Sequence, residues 1–254
     1  MTRPPPARSR VRIWADLARA GNFPSVASNV LAALVLSQPG NPVWPEGALL
    51  AWTLIAGCLA YAGGATLNDV ADARFDAVHR PERSIPSGAI TVRGAALLGF
   101  AQLFAGSAVL VLFGAGVLWV LLLVAVILAY DAFHKRWTGS VMLMGGCRVA
   151  LALALASLPG HSFTPWLLGW IALLFLYIVG LSLLARREYA IAAKGTAADR
   201  ARAERMGRTV GRLLALIPVL DAAALLASGA ALPALVCALA YPLGRLAQRV
   251  AAST

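Results

Sequence analysis

Asn68-Asp69-Val70-Ala71-Asp72-Ala73-Arg74-Phe75-Asp76 ends the apolar run from Gly47 to Leu67 and leads into His79-Arg80-Pro81-Glu82-Arg83. At roughly 100° per residue on a helix, Asn68, Asp69, Asp72 and Asp76 fall within about a quarter-turn of one another. Three carboxylates crowded on one face repel unless a cation joins them. Oxygen-rich clusters of this kind suit Mg²⁺, which takes one or two carboxylates and completes its shell with water and phosphate oxygens. The ordinary alternative is a solvated acidic helix end. It loses ground because the chain has 11 Asp and Glu in all, and three of them stand within eight residues beside an apolar run. Ionisable groups at membrane depth are costly and mark function by default. The stretch therefore reads as a site for a metal-bridged diphosphate at a membrane boundary.

The rest of the chain supplies the membrane. Its 254 residues are 60% hydrophobic and 13% charged, with a mean hydropathy of +0.75, whereas a soluble domain is about a quarter charged. Apolar runs fall at 23–38, 47–67, 94–113, 115–130, 138–158, 164–184, 210–228 and 231–250. A span needs roughly 20 residues, so eight spans are expected, with seven or nine as alternatives. The third and fourth runs are split only by Gly114-Ala115-Gly116, which calls for a tight turn; one very long helix is the alternative. The predicted fold is all-α, a multi-pass transmembrane helical bundle. It forms one domain over 11–254 behind a disordered cytosolic tail at 1–10. Within Val11–Ala20, Ile13, Trp14 and Leu17 among Arg12, Asp16 and Arg19 suit a short interfacial helix.

The net charge of +11 does not signal nucleic acid, because the bases sit in short gaps between apolar runs, where they set topology and meet anionic lipid. Basic residues fall in the tail (Arg3 to Arg19), after the second span (Arg74, Arg80, Arg83, Arg93), after the fourth (Lys135, Arg136), after the sixth (Arg186 to Arg212) and at the end (Arg245, Arg249). The loops of opposite parity carry no Lys or Arg, and Arg148 alone lies midway along a span. This pattern places the basic loops in the cytosol. Cys58, Cys147 and Cys237 lie in apolar runs and share no metal-ligand spacing.

Asn68-Asp69-x-x-Asp72-x-x-x-Asp76 followed by Arg80-Pro81-x-Arg83-x-x-Pro86-Ser87-Gly88 resembles the first aspartate-rich motif of the UbiA superfamily of intramembrane prenyltransferases. Ser84 stands where that family usually has a proline. Asn22 before the first span, and Tyr130 with Lys135-Arg136 ending the fourth, also match. The resemblance covers nearly the whole chain. It implies a helical bundle around a central cavity, binding a prenyl diphosphate through Mg²⁺ and passing the prenyl group to a small acceptor, often aromatic. Asp69, Asp72 and Asp76 would then hold the metal, and Asn68 would supply a neutral oxygen or orient a water. Asp72, Asp76, Arg83 and Lys135 become the expected catalytic set, with Asn22, Arg80, Tyr130 and Arg136 in substrate binding. For each base, lipid-headgroup contact is the bland alternative.

The family's second acidic motif, after the sixth span, is degenerate here. Arg186-Arg187-Glu188 keeps one acid, and Ala192 stands one turn later where a partner carboxylate is expected. Arg187 and Glu188 are accordingly placed in substrate binding, with Arg186 or Arg187 supplying charge that a second metal would otherwise bring; plain marking of the cytosolic face is the alternative. An Arg-Glu pair here is similar to the EboC-like branch of the superfamily. Arg148 must face the bundle interior, as a substrate contact or as the ion-pair partner of Asp221 in the seventh span.

Two other classes compete with the transferase: a diverged member that binds or exports an isoprenoid-related metabolite, and an ordinary transporter. The orientation has a direct check. Single cysteines at positions 78 and 41, in a cysteine-free background, should be labelled from opposite sides of the membrane; same-side labelling would overturn the topology.

Overall fold

The computed structural model describes residues 9–135, 137–192 and 196–250. Its helices are α1 (Arg10–Leu17), α2 (Phe23–Leu36), α3 (Gly47–His79), α4 (Val92–Leu112), α5 (Val117–Phe133), α6 (Ser140–Ala156), α7 (Pro165–Ala192), α8 (Ala197–Ala215), α9 (Ile217–Ala227) and α10 (Ala231–Val250). A 3₁₀ turn, Ala20–Asn22, joins α1 to α2. No strand occurs among the described residues. Most of the expected tail, residues 1–8, lies outside them.

The eight apolar runs map onto α2 to α7, the α8–α9 pair and α10. Five stretches are long and apolar enough to cross a membrane: Gly47–His79, Val92–Leu112, Pro165–Glu188, Ala201–Ala227 and Ala231–Gln248. Ala20–Leu36, Val117–Phe133 and Ser140–Ala156 are shorter apolar helices. The outer surface has the composition of a core. Leu97, Phe104, Leu112 and Leu118 are 74%, 76%, 83% and 74% exposed, which water would penalise and lipid tails accept. The bundle is that of an integral membrane protein.

The turn expected between the third and fourth spans is present. Gly114 adopts φ +92, the left-handed region open to glycine, and the Ala115 amide donates to the Leu110 carbonyl at 2.9 Å. A Cβ at Gly114 would also lie 2.8 Å from Pro159.

Helix α2 is the hub, packed against α3, α6, α9 and α10. Ser25, Val26 and every residue from Ser28 to Leu36 are buried. Helices α3 and α4 approach through small residues, as membrane helices do when van der Waals packing replaces the hydrophobic drive. A Cβ on Gly63 would sit 2.8 Å from the Gly99 carbonyl oxygen, and one on Gly106 2.7 Å from the Ala56 carbonyl oxygen.

Two features position the motif. Helix α3 continues past its apolar run, so Asn68 to Asp76 are presented on regular helix. Helix α1 packs beneath, its Leu17 buried with Ile85 and Ala95 and flanked by Ile13, Val70, Ala73 and Ile90. The predicted interfacial helix is thus a brace between the motif and the loop behind it.

Gly106→Val should force α3 and α4 apart and lower stability by about 1–3 kcal/mol, read as a lower unfolding temperature in detergent. Gly169→Val, at a glycine with open space around it, should change little.

Candidate active site

The motif's carboxylates are held by bases from three parts of the chain. Asp69 Oδ1 accepts from Arg19 Nη2 at 3.1 Å and from Arg83 Nη1 at 3.2 Å. Arg83 Nη1 also donates to Asp76 Oδ2 at 2.9 Å. Asp72 Oδ1 lies 2.7 Å from Lys135 Nζ and 3.0 Å from His134 Nε2. Asn68 accepts from Arg19 Nη2 at 3.1 Å and donates to Asp131 Oδ1 at 3.3 Å. Asn68, Asp72, Asp76 and Asp131 are all buried. Burying a carboxylate without a partner is expensive, and these pairs remove most of that cost.

Local structure explains how each base arrives. Arg19 takes φ +47 and ψ +48, a left-handed conformation at a non-glycine residue, which ordinarily costs about 1–2 kcal/mol. At this turn between α1 and α2 the guanidinium reaches Asn68 and Asp69 of the motif. Arg83 comes from the loop after α3, whose Arg83 amide donates to the Arg80 carbonyl at 3.0 Å. His134 and Lys135 follow α5, where the Lys135 ammonium also sits 3.7 Å from the centre of the Phe75 ring. Burial works against the His134 imidazolium, but Asp72 beside it more than compensates, and the ring's pKa is raised above its ordinary value.

Among the described residues, no three acidic, histidine or cysteine side chains converge as a ready metal cage. The bases occupy that space instead. Two carboxylate oxygens are nevertheless left over: Asp76 Oδ1 and Asp131 Oδ2 are buried without a hydrogen-bond partner. Together with Asn68, Asp69 and Asp72 they form a set of hard oxygen donors, the kind that Mg²⁺ and Ca²⁺ take.

The other expected site residues divide into two groups. Tyr130 is near the motif, its ring stacked on His134 at 5.4 Å. Arg80 caps α3, its amide bonded to the Asp76 carbonyl at 2.8 Å, and its charge acts on Glu188. Glu188 is half-buried, its carboxylate against Gly207 of α8. Arg187 is exposed, and Arg136 lies outside the described residues. Asn22 and Arg148 belong to a separate group deeper in the bundle. Asn22 Nδ2 donates to the Tyr61 hydroxyl at 2.8 Å.

Two arginines have their contacts away from the aspartates. Arg186 Nη2 donates to the His134 carbonyl and Ser140 Oγ, both at 2.6 Å, and to the Trp137 carbonyl at 3.1 Å, bracing the α5–α6 loop. Of the two readings of Arg148, the direct pair with Asp221 is not the one formed: Asn29 stands between them. Sequence reasoning also missed Arg19, Asp131 and His134 as members of the site. The adjacency of Tyr130-Asp131 to His134-Lys135 was the available signal for two of them.

Residues 26–254 match the UbiA prenyltransferase family. The chain belongs to that family. Over 142 residues it is 34% identical to the digeranylgeranylglyceryl phosphate synthase of Metallosphaera sedula, covering 54% of this chain and 48% of the relative. Over 175 residues it is 30% identical to the 4-hydroxybenzoate octaprenyltransferase of Paracidovorax citrulli, covering 66% and 58%. The chain thus spans about half the length of the curated relatives it matches. Its fold is similar to that of a UbiA homolog from Archaeoglobus fulgidus bound to GPP and Mg²⁺, with a TM-score of 0.59 at 14% identity over 92% of this chain and 99% of that one. The apo UbiA homolog from Aeropyrum pernix gives 0.56 at 19% identity, over 90% of each chain. The eight-run bundle is therefore the UbiA fold.

Arg83 is the hinge of the site's charge balance. Arg83→Ala leaves the buried Asp76 uncompensated and should cost about 3–5 kcal/mol. Adding Asp76→Asn should recover most of that loss, measured by denaturation of both variants in detergent.

Proposed function

We propose that this UbiA-family chain is an intramembrane transferase, moving a prenyl group from a Mg²⁺-bound prenyl diphosphate to a small acceptor. The observation that carries the reading is the trio of carboxylates Asp69 (half-buried), Asp72 and Asp76 (both buried), ringed by Arg19, Arg83, His134 and Lys135 at the foot of α3. The names of the two relatives, a prenyl-lipid synthase and an octaprenyltransferase, support it.

The donor set fits a hard divalent cation, since Asp76 Oδ1 is buried with no hydrogen-bond partner. Asp69, Asp72 and Asp76 would hold Mg²⁺, with Asn68 adding a neutral oxygen. When bound, the metal would supply charge that stabilises the departing diphosphate as the allylic C–O bond breaks. Arg83 and Lys135 are the cations best suited to phosphate oxygens, Arg83 through a bidentate fork and Lys135 as a point charge. Tyr130, stacked on His134, helps to keep water from the reacting carbon. We assign Asn22, Arg80 and Arg136 to the substrate side of the site and Arg187 and Glu188 to its rim. The N-terminus, C-terminus and motif loops are placed on the cytosolic side of a bacterial cytoplasmic membrane, on the Lys and Arg distribution, with 11–254 as one domain.

A second reading follows from the engagement of Arg186 and the solitary Glu188. With the second acidic motif reduced to one carboxylate, the chain would bind or assemble an isoprenoid-related metabolite without turnover. Purified protein incubated with Mg²⁺, labelled geranyl diphosphate and a membrane extract separates the two. The transferase reading expects Mg²⁺-dependent release of diphosphate, and metal-independent binding without release would favour the other. Asp72→Asn and Asp76→Asn should each reduce that release by at least about 100-fold, while both proteins remain folded by size exclusion. Normal release by either variant would refute the metal role.

A further inference from the structure

Arg148 is a cation in mid-bundle without an acid in contact. Nη1 donates to the Ser25 carbonyl at 3.0 Å and to Asn29 Oδ1, and Nη2 donates to Ser25 Oγ at 3.1 Å. Those bonds use three of the five guanidinium N–H donors, and the other two have no partner among the described residues. Asp221, the nearest acid by sequence expectation, is fully buried and already satisfied. It accepts from Ser28 Oγ at 2.7 Å, Asn29 Nδ2 at 2.8 Å and Trp170 Nε1 at 2.9 Å. The amide of Asn29 thus separates the two charges, one end facing each.

The side chain nevertheless keeps accessible surface. Arg148 is half-buried, as are Tyr61 and Cys58 on the facing side of α3. Its guanidinium lies 5.3 Å from the centre of the Tyr61 ring, and its bonded partners are on α2. These contacts place the guanidinium among α2, α3 and α6, against the buried Ser25 and Asn29. Tyr61 precedes Asn68 by two turns of α3, which puts this ring about 12 Å along the helix from Asp69, the first of the aspartates, and farther from the others.

We propose that Arg148 anchors the acceptor by binding a carboxylate or phosphate group on it, and so selects anionic acceptors. The inference rests on the transferase reading of the aspartate site. An arginine with two spare donors and no contacting acid suits a planar or tetrahedral oxyanion. The separation along α3 keeps this anion apart from the diphosphate, so each has its own cations. Tyr61, held by Asn22, flanks the guanidinium and suits an aromatic or allyl group beside the anion.

The test uses the full chain in detergent with two anionic probes, 4-hydroxybenzoate and geranylgeranylglyceryl phosphate, and the neutral 4-hydroxybenzamide. Binding is read by thermal shift and calorimetry, with geranyl diphosphate and Mg²⁺ titrated separately. At least one anionic probe should bind, identifying the carboxylate or the phosphate as the source, and the amide should not. Arg148→Gln should weaken that probe by about 10- to 100-fold, Arg148→Lys should restore part of the loss, and geranyl diphosphate affinity should stay within about two-fold. Ser25→Asp, which gives Arg148 an acid in place of a hydroxyl, should abolish anion binding with Arg148 still present. Equal binding of the amide, no binding of either anion, or parallel loss of anion and diphosphate in Arg148→Gln would overturn the proposal. Failure of geranyl diphosphate to bind the unmodified protein would instead refute the aspartate-site reading.

Discussion

A carboxylate taken into a bilayer costs about 3 kcal/mol on insertion scales, and α3 buries Asp72 and Asp76 at the end of a span. The rest of the membrane-boundary structure follows from neutralising them. Arg19, Arg83, His134 and Lys135 come from an N-terminal turn, the loop after α3 and the end of α5, and each must be fixed in space to serve. That requirement accounts for the left-handed backbone at Arg19 and for the burial of Leu17 against Ile85 and Ala95. It also gives Arg186 its task. By donating to the His134 and Trp137 carbonyls, Arg186 sets the loop that presents His134 and Lys135 to Asp72.

The site thus balances its own charges, Asp76 Oδ1 excepted. On the proposed reading, a metal diphosphate would be accommodated by exchanging carboxylate–base pairs for carboxylate–metal and base–phosphate pairs. Such an exchange would keep the buried charges compensated, which a set of bare carboxylates would not.

How much of this was legible depends on the range of each interaction. The face shared by Asn68, Asp69, Asp72 and Asp76 is a property of one helix, and its spacing is written in nine residues. The runs that became α2 to α10 were legible for the same reason, as was the Gly114 turn, where one residue carries the geometry. Arg19 was not, because nothing local distinguishes it from the other tail bases; only the turn before α2 and the packing of α1 bring it to Asp69. The bonds of Arg186 were not legible, because sequence does not reveal which loop carbonyls a side chain from a distant helix reaches. Sequence left open whether Arg148 pairs with Asp221, and a single intervening side chain, Asn29, decides that it does not do so directly.

Asn29 also shows why the two cationic regions of this bundle differ in kind. At the foot of α3 each arginine contacts an aspartate, so an incoming anion competes with an existing ion pair and has to release it. At Arg148 the contacting oxygens come from a carbonyl, a hydroxyl and an amide. Those groups hold the guanidinium in place without cancelling its charge. Asp221 lies one side chain away, near enough to temper the cost of burying Arg148 and too far to compete for its donors. An aspartate at position 29 would remove that distinction by closing the pair, whereas the amide serves both charges at once and leaves the cation without a contacting acid.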